Sequence, residues 1–375
     1  MELNRSQREI RKAARDFAKG EFIKDLALEM EGRGAFPEKI WKKAGDLGFL
    51  CTHFPESLGG GGLGLFESVL VSEAFCRQDA SIGSALTLSG FAAECLLRFG
   101  DDALKQRFLP AVIEGRGVSA GAFGEPGLGW NGSALQTEAH LQGGQWIING
   151  RKTYVINGGR AGFYIVLCLI ESQTAGMILV QAETQGIEAR TCGRRLGGNL
   201  TAMADLDFTD VRVPEDHLLG PAGQGLAQLE QFMNEACILT AAQAVGIAAG
   251  AFDRTLAYVK EREAFGRKLA VFEITRHKIA EMAASTEYAR SIVYQAARQW
   301  DAGHAGILPA VAKLEACRAA LAVTDEAVQL FGGYGYMREQ EVERFFREAK
   351  ATALLLGGEA ALKRKIADDV IGMLR

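Results

Sequence analysis

The residues of this chain best suited to binding chemistry lie in two short motifs, REAFGR at Arg262–Arg267 and QLFGGYGY at Gln329–Tyr336. The planar guanidinium of Arg262 can make a bidentate contact with a phosphate, and the glycines allow a ligand to approach the backbone closely. Taken alone, Arg262 is also consistent with a surface helix charge, and the glycine run with a turn that ends a helix.

Histidine and cysteine indicate no metal centre. The seven cysteines and five histidines are scattered along the chain. No two cysteines form a CxxC pair, and no two histidines are four residues apart, as two ligands on one helix face would be. This pattern argues against a disulfide framework and a structural zinc site, and it fits a reducing cytoplasm. We therefore expect no metal and a cytoplasmic location.

Charge and hydropathy exclude further classes of protein. The formal net charge is -4 and there is no long run of Lys or Arg, so we expect no nucleic-acid partner. The first residues are charged, and we expect no signal peptide. No uninterrupted apolar stretch reaches about 18 residues, which predicts no membrane span. The nearest approach, Cys237–Phe252, contains Gln243 and is interpreted as a buried helix.

Periodicity divides the chain into three parts. Residues 1–116 carry apolar side chains at the three- and four-residue spacing of helices. Residues 117–221 contain short apolar runs of strand length, including Ser133–Leu141 joined to a second run by a glycine turn. Residues 222–375 contain helical segments longer than about 25 residues, which favour a bundle. We predict a mainly α, α+β fold with an N-terminal helical domain, a central small β-barrel and a C-terminal helical bundle.

Individual elements can also be placed. The first helix is expected to open with a capping box, formed either by Asn4 with Gln7 or by Ser6 with Glu9. The turn Gln142–Gly144 predicts a hairpin in the β domain. The long helices of the bundle are predicted at about 223–260, 272–301 and 309–331, followed by shorter ones near 339–349 and 358–373.

Six motifs follow one another along this helix, strand and helix order. They are PESLGGGGLG, GAFGEPGLGWNGS, INGRKTYVINGG, FTDVRVPEDHLLG, REAFGR and QLFGGYGY. In the same order they resemble signatures of the acyl-CoA dehydrogenases, among them the T-E-P-G-A-G-S-D segment and the L-N-G-x-K-x-W-I-T-N-G-G hairpin. Each motif is weak alone, but six in the correct order span the whole chain. The chain is therefore similar to that family.

The resemblance implies a tetramer of three-domain subunits, with FAD lying across a dimer interface. One subunit surrounds the flavin ring, and its neighbour closes over the adenine and pyrophosphate. In such enzymes a carboxylate removes the α-proton of an acyl-CoA thioester while hydride passes to the flavin. Base and flavin must flank the substrate at a fixed distance. The expected oxidant is electron-transferring flavoprotein.

The base position departs from the family pattern. The family's R-D-A-x(5)-Y-E-G-T segment corresponds here to REAKATALLLGGE, and Leu356 stands in place of the catalytic glutamate. An aliphatic side chain cannot accept a proton. General-base catalysis contributes roughly 10²–10⁴-fold, so the loss is severe for ordinary dehydrogenation.

Three carboxylates are candidates for a replacement base. Some family members place the glutamate at the position of Ala236. The adjacent Glu235 is rotated from that position by about 100° on a helix and is expected to point elsewhere, which favours a solvated or structural role over that of a base. Glu359 follows Leu356 by three residues and is also placed to interact with a helix dipole. Glu94 is the acid nearest to Thr87–Phe91, which by alignment approaches the substrate.

The positions expected to face this subunit's own flavin are altered as well. Gly124 replaces a threonine and Trp130 a serine of the T-E-P-G-A-G-S-D segment. Tyr154 replaces the hairpin tryptophan, Ile156 the threonine that hydrogen-bonds the flavin, and Gly358 a further threonine. Each lost hydrogen bond costs roughly 0.5–1.5 kcal/mol, so several together weaken cofactor binding.

The residues that a subunit lends to its neighbour's FAD are better kept. They are Arg262, Phe265, Gln329, Gly332, Gly333 and Gly335. The exception is Glu273, which stands where the family has glutamine and would oppose the pyrophosphate charge.

The positions that face this subunit's own flavin are altered, whereas those lent to a neighbour's FAD are mostly kept. Three functional hypotheses follow from this difference. The first is the base-less subunit of a heteromeric acyl-CoA dehydrogenase, whose partner carries the glutamate. The second is a homomeric FAD enzyme with atypical acyl-CoA chemistry, such as a relocated base, elimination at other carbons or decarboxylation. The third is a flavin-free scaffold or acyl-CoA-binding protein.

Overall fold

The N-terminal part of the chain is helical in the computed structural model, which describes residues 2–127, 135–304 and 306–372. Its helices are α1 (Arg5–Glu21), α2 (Lys24–Arg33), α3 (Glu38–Asp46), α4 (Leu65–Gln78), α5 (Ala80–Thr87), α6 (Ala93–Phe99) and α7 (Asp102–Ile113). Of the two predicted capping boxes, Asn4 with Gln7 forms: Asn4 Oδ1 accepts from Gln7 N at 2.8 Å, and Asn4 N donates to Gln7 Oε1 at 3.1 Å. Ser6 and Glu9 lie inside α1 instead.

Helix α5 is fixed at its start by a buried carboxylate. Asp79 Oδ1 accepts from the backbone N–H groups of Ser81 and Ile82 at 3.0 and 2.9 Å, which caps the helix. Its other oxygen, Oδ2, accepts from Arg344 Nη1 at 2.5 Å, and both side chains are almost fully buried. This ion pair joins the N-terminal domain to the C-terminal bundle and sets the direction in which α5 points.

The middle part forms one seven-stranded mixed sheet. Its strands are β1 (Ser119–Ala122), β2 (Glu138–Gln142), β3 (Gln145–Ile156), β4 (Phe163–Ile170), β5 (Thr174–Gln181), β6 (Ile187–Thr191) and β7 (Met203–Pro214). Along the sheet the order is β1, β4, β2, β3, β7 and β6, with β5 also paired to β4. The predicted hairpin joins β2 to β3. Within the described residues the first strand of that hairpin begins at Glu138, since 135–137 form no strand, and the predicted start at Ser133 lies outside the described residues.

The C-terminal part is a bundle of five helices within the described residues. They are α8 (Gly225–Glu261), α9 (Glu273–Asp301), α10 (Leu308–Phe331), α11 (Val342–Leu354) and α12 (Gly358–Ile371). A two-stranded hairpin, β8 (Glu263–Ala264) with β9 (Arg267–Lys268), follows α8. The expected order of helical domain, β domain and helical bundle is confirmed.

Helix α8 packs very closely on α4. A Cβ on Gly246 would lie 2.5 Å from the backbone oxygen of Glu73, and a Cβ on Gly250 would lie 2.3 Å from that of Arg77. Glycine is therefore required at both positions by close approach of the two backbones. By length and composition alone α8 could cross a membrane, but 89% of its most apolar window is buried against the rest of the chain. This helix is the core of the bundle.

Candidate functional site

A cavity of about 330 Å³, here called the central cavity, lies where the three parts of the chain meet. Its walls come from the end of α5, from β3, from the loop before β7 and from the turn between α11 and α12. Three of the positions predicted to matter, Tyr154, Ile156 and Leu356, line this one cavity. Tyr154 is largely exposed, whereas Ile156 is buried in the apolar core.

Leu356 occupies a strained turn. Its backbone is left-handed, with φ 57° and ψ 36°, and its side chain is only 1% exposed. A non-glycine residue pays roughly 1–2 kcal/mol for this conformation. Gly357 and Gly358 follow with φ of 83° and 66°, and Lys313 Nζ donates to the Leu355 carbonyl at 2.8 Å. The turn therefore holds the side chain of residue 356 in the cavity wall, where leucine supplies only apolar surface.

Glu359 is not placed to act as a base at this cavity. Its side chain is about half exposed and forms ion pairs with Arg318 and Lys363, each at 2.7 Å. The hydrogen bonds from Lys363 and Arg318 lower the pKa of Glu359 to about 2. Glu359 does not line the central cavity, and a carboxylate with so low a pKa is a weak proton acceptor.

Glu235 is also directed away from the central cavity and is buried, not solvated. Its Oε2 accepts from Arg98 Nη2 at 2.7 Å, and its Oε1 lies 3.1 Å from His53 Nε2. Burial raises the pKa of Glu235, but the hydrogen bond and charge of His53, together with Arg98, outweigh it and the pKa is lowered. The structural interpretation of this carboxylate agrees with its contacts.

Glu94 lies in a second, smaller cavity of about 60 Å³, here called the small cavity. His53, Ser72 and Thr87 are among the other residues that line it. Burial and the charge of Glu235 raise the pKa of Glu94 to about 7. Glu94 thus has the pKa of a useful acid or base, but it does not line the central cavity where Leu356 lies.

Sequence analysis predicted no metal, whereas the fold brings three groups together that could ligate one. Ligand atoms of His53, Glu94 and Glu235 all lie within 4.8 Å of one another. With Arg98 beside them, the four groups are charge-balanced when both histidine and arginine are protonated and both glutamates are ionised. The cluster therefore needs no cation to neutralise it.

Glu348 and Gln243 are among the polar residues of the central cavity that were not singled out from the sequence as site residues. Glu348 is buried, and its Oε1 accepts from Ser81 Oγ at 3.1 Å and from Gly198 N at 2.9 Å. Burial raises its pKa. Gln243 Nε2 donates to Thr87 Oγ1 at 2.8 Å, while its Oε1 is buried with no hydrogen-bond partner. The signal for Gln243 was its position in an otherwise apolar helix.

Gly124 does not line the central cavity either. Its carbonyl accepts from Thr153 N at 2.9 Å, which ties the loop before it to β3. The next residue, Glu125, forms a fully buried ion pair with Lys152 at 2.7 Å and accepts from Thr137 N at 3.0 Å. This pair sets the path of the loop. The predicted effect of Trp130 falls outside the described residues.

A third cavity, the outer cavity, measures about 480 Å³ and lies at the C-terminal ends of α8 and α10. It brings together Arg262, Gln329, Gly332 and Gly333, although the first is far from the others in sequence. The Arg262 guanidinium lies 5.5 Å from the centre of the Tyr334 ring. These four predicted cofactor residues therefore share one surface cavity.

Two other predicted residues of this region lie apart from the outer cavity. Phe265 is 95% exposed at the tip of the β8–β9 hairpin, with φ 51°. Glu273 begins α9 with its side chain 88% exposed, and it lies 3.7 Å from His277. Neither lines the outer cavity, so the carboxylate of Glu273 does not enter it.

The outer cavity suits the phosphates of a dinucleotide. The Arg262 guanidinium supplies a cation, and the structure shows no carboxylate paired with it in the described part of the chain. A Cβ on Gly333 would meet no atom within 4 Å, so its own subunit does not require glycine there. The space beside this turn is free for a ligand or a neighbouring subunit. In the central cavity, Ile156 and Leu356 offer apolar surface to a planar ring, and Gln243 Oε1 offers an acceptor.

Comparison with protein families gives matches over almost the whole chain. Residues 4–116 match the acyl-CoA dehydrogenase N-terminal domain, residues 120–211 the middle domain, and residues 223–371 the C-terminal domain. Acryloyl-CoA reductase (NADH) of Anaerotignum propionicum is 34% identical, over 98% of this chain and 95% of that protein. The short-chain specific acyl-CoA dehydrogenase of Clostridium acetobutylicum is 32% identical, over 98% of both.

Solved structures are also similar to this chain over its whole length. Butyryl-CoA dehydrogenase from Megasphaera elsdenii superposes with a TM-score of 0.94 at 30% identity, covering 99% of each chain. A chain from the study of the electron transferring flavoprotein of Acidaminococcus fermentans gives a TM-score of 0.95 at 33% identity, covering 100% of both.

Proposed function

This chain belongs to the acyl-CoA dehydrogenase family, and we propose that it serves an acyl-CoA oxidoreductase as the base-deficient subunit of a heteromeric complex. Members of the family use FAD and act on CH–CH groups of acyl-CoA thioesters. When bound, FAD accepts the hydride. The partner subunit supplies the catalytic carboxylate, and this chain supplies the phosphate-facing contacts of its outer cavity.

The observation that carries this proposal is Leu356 in the wall of the central cavity. Among the described residues that line this cavity, Glu348 is the sole carboxylate. It lies on α11, whereas Leu356 lies in the turn that follows this helix. Its Oε1 already accepts two hydrogen bonds. No carboxylate of the cavity is therefore placed to replace the missing one.

The chain's own residues divide the work in this proposal. Arg262 would contact a phosphate of the cofactor bound mainly by the partner, and Gly332 and Gly333 would leave room for it. Ile156 and Leu356 exclude water from the central cavity but take no proton. FAD bound in the central cavity would make apolar contacts, and Gln243 Oε1 would offer it a hydrogen-bond acceptor.

Purification of the chain alone and with a homologous subunit that carries an intact Y-E-G-T segment tests the proposal. We expect the lone chain to oxidise acyl-CoA slowly or not at all, and the mixed assembly to do so with FAD bound. Stoichiometric FAD and acyl-CoA oxidation by the lone chain would overturn the proposal.

A further inference from the structure

Strand β3 contains a bulge beside the central cavity. The ladder between β3 and β7 shifts its register between Lys152 and Val155. Thr153 and Tyr154 of β3 consequently lie opposite a single residue of β7, Asp205. An extra residue of this kind changes the face of the sheet to which all following side chains of the strand point.

The bulge reverses the alternation of side chains along β3. Before it, Trp146 and Ile148 point into the apolar core of the sheet, and after it Val155 joins the same core. An unbroken strand would place even-numbered residues on that face throughout, because successive side chains alternate. With the extra residue, Tyr154 and Ile156 line the central cavity instead.

Tyr154 depends on its backbone for its direction, whereas its neighbours are held by packing. Val155 and Ile156 are buried in apolar cores. Tyr154 is 68% exposed, so packing does not fix it in the same way. Its φ of 52° lies in the left-handed region, which costs free energy for a residue with a bulky side chain. A specific contact is therefore needed to hold this conformation.

Asp205 supplies that contact. Its Oδ1 accepts from Tyr154 N at 3.0 Å, and its Oδ2 accepts from Arg151 Nη2 at 2.8 Å. Burial raises the pKa of Asp205, but the hydrogen bonds from Arg151 and from the Tyr154 backbone outweigh it, and the pKa is lowered. The carboxylate is therefore ionised at neutral pH, and a hydrogen bond to an ionised group is stronger than one to a neutral group. Asp205 itself does not line the central cavity.

We propose that Asp205 is a positioning residue, which holds the bulge that directs Tyr154 into the wall of the central cavity. It acts on a bound ligand only through Tyr154. The inference rests on the proposed function for the identity of that ligand, FAD, whereas the bulge and its contacts do not depend on it. Tyr154 then offers its aromatic side chain to the planar ring of the flavin.

Titration of FAD into the flavin-free heteromeric assembly, followed by flavin fluorescence, tests the inference. Asp205→Ala should weaken FAD binding about three- to tenfold, the effect of losing one aromatic contact. Asp205→Asn keeps an oxygen for the Tyr154 N–H and should restore most of the affinity. Asp207→Ala is the matched control and should bind FAD normally, because Asp207 is also an aspartate of β7 beside Arg151 but accepts no hydrogen bond from Tyr154. Unchanged FAD affinity in Asp205→Ala would overturn the inference.

A second background separates positioning from a general loss of structure. In Tyr154→Ala, the further change Asp205→Ala should not alter FAD affinity, because the side chain that Asp205 positions is gone. Equal losses with and without the Tyr154 side chain would overturn the inference. Asp205→Leu, which has a similar shape and no acceptor, replaces Asp205→Ala if that variant does not fold.

Amide hydrogen exchange of residues 150–157 gives a readout that needs no ligand. Exchange should be faster in Asp205→Ala than in Asp207→Ala, since only the first change removes the acceptor of the Tyr154 N–H. Equal exchange in the two variants would show that Asp205 does not hold the bulge. If the unmodified assembly binds no FAD, the proposed function fails, and this comparison still decides the role of Asp205.

Discussion

The central and outer cavities differ in the kind of residue that each retains. In the central cavity, the positions expected to carry a base and flavin hydrogen bonds hold leucine and isoleucine, buried in a continuous apolar core. In the outer cavity, Arg262, Gln329 and a glycine turn are kept and open to solvent. Under the proposed function, the surface that serves another subunit and the surface that serves the chain's own chemistry have diverged independently within one fold.

The largest effect on this difference between the cavities is expected from placing a base at position 356. Leu356→Glu should raise the rate of α-proton abstraction by roughly 10²–10⁴-fold, the range of general-base catalysis. Exchange of the α-protons of bound butyryl-CoA with deuterated solvent, followed by mass spectrometry, measures this step without net oxidation. Leu356→Gln is the matched control, because its amide fits the same space and takes no proton. Equal exchange in both variants would contradict the assignment of position 356.

The outer cavity is tested by removing its cation. Arg262→Ala should weaken FAD binding in the heteromeric assembly by about 10–100-fold, because a hydrogen bond to a charged group contributes roughly 1.5–3 kcal/mol. Flavin absorbance after gel filtration measures retention. Arg318→Ala, which removes an exposed arginine paired with Glu359, is the control and should retain FAD. Loss of flavin from both variants would argue against a specific contact at Arg262.

The buried cluster of His53, Glu94 and Glu235 predicts how the stability of the protein depends on pH. Burial raises the pKa of Glu94 to about 7 from the 4.5 of an ordinary glutamate, so its stabilising contribution is complete below pH 4.5 and is lost as the pH rises through 7. His53, whose pKa is also raised against the opposing effect of burial, acts in the same direction. Between pH 5 and 8 the free energy of unfolding should therefore fall less for Glu94→Gln than for the unmodified protein. The difference should be on the order of 1–3 kcal/mol.

Thermal unfolding across this pH range measures the difference. The control is Glu359→Gln, because the pKa of Glu359 is lowered to about 2 and this group is ionised throughout that window. Its unfolding curve should run parallel to that of the unmodified protein. A parallel curve for Glu94→Gln would show that Glu94 ionises at no cost in the folded state.

The smallest effect is expected at position 156, which is predicted to face the flavin. Ile156→Thr restores a hydroxyl at the cavity wall, and one hydrogen bond contributes roughly 0.5–1.5 kcal/mol, or about tenfold at most in affinity. Equilibrium titration with FAD measures it. Ile156→Val, which removes a methylene without adding a hydroxyl, is the control. Equal affinities would mean that residue 156 does not face the flavin.

Local patterns predicted the helices and the retained motifs well. The three long helices of the bundle begin and end within two residues of the positions expected from periodicity, and Asn4 forms its box with Gln7 because both residues are neighbours on one turn. The position of Leu356 followed from the motif around it. These features depend on residues close together in the sequence.

The partners of the buried charges could not be predicted in this way. Glu235 meets Arg98 across 137 residues because α6 and α8 pack together, and it meets His53 from the segment between α3 and α4. Glu348 was noticed as part of a motif, but its place in the central cavity depends on the loop at Gly198. Such contacts are set by tertiary packing, which local sequence patterns do not predict.

The close packing of α8 on α4 has a consequence for how the chain can be divided. By length and composition α8 could cross a membrane, and α4 of the N-terminal domain covers it around Gly246 and Gly250. A fragment that begins at the β domain would expose the side of α8 that packs on α4 to water. We therefore expect the bundle to aggregate when it is expressed alone, since its central helix depends on a segment made some 170 residues earlier.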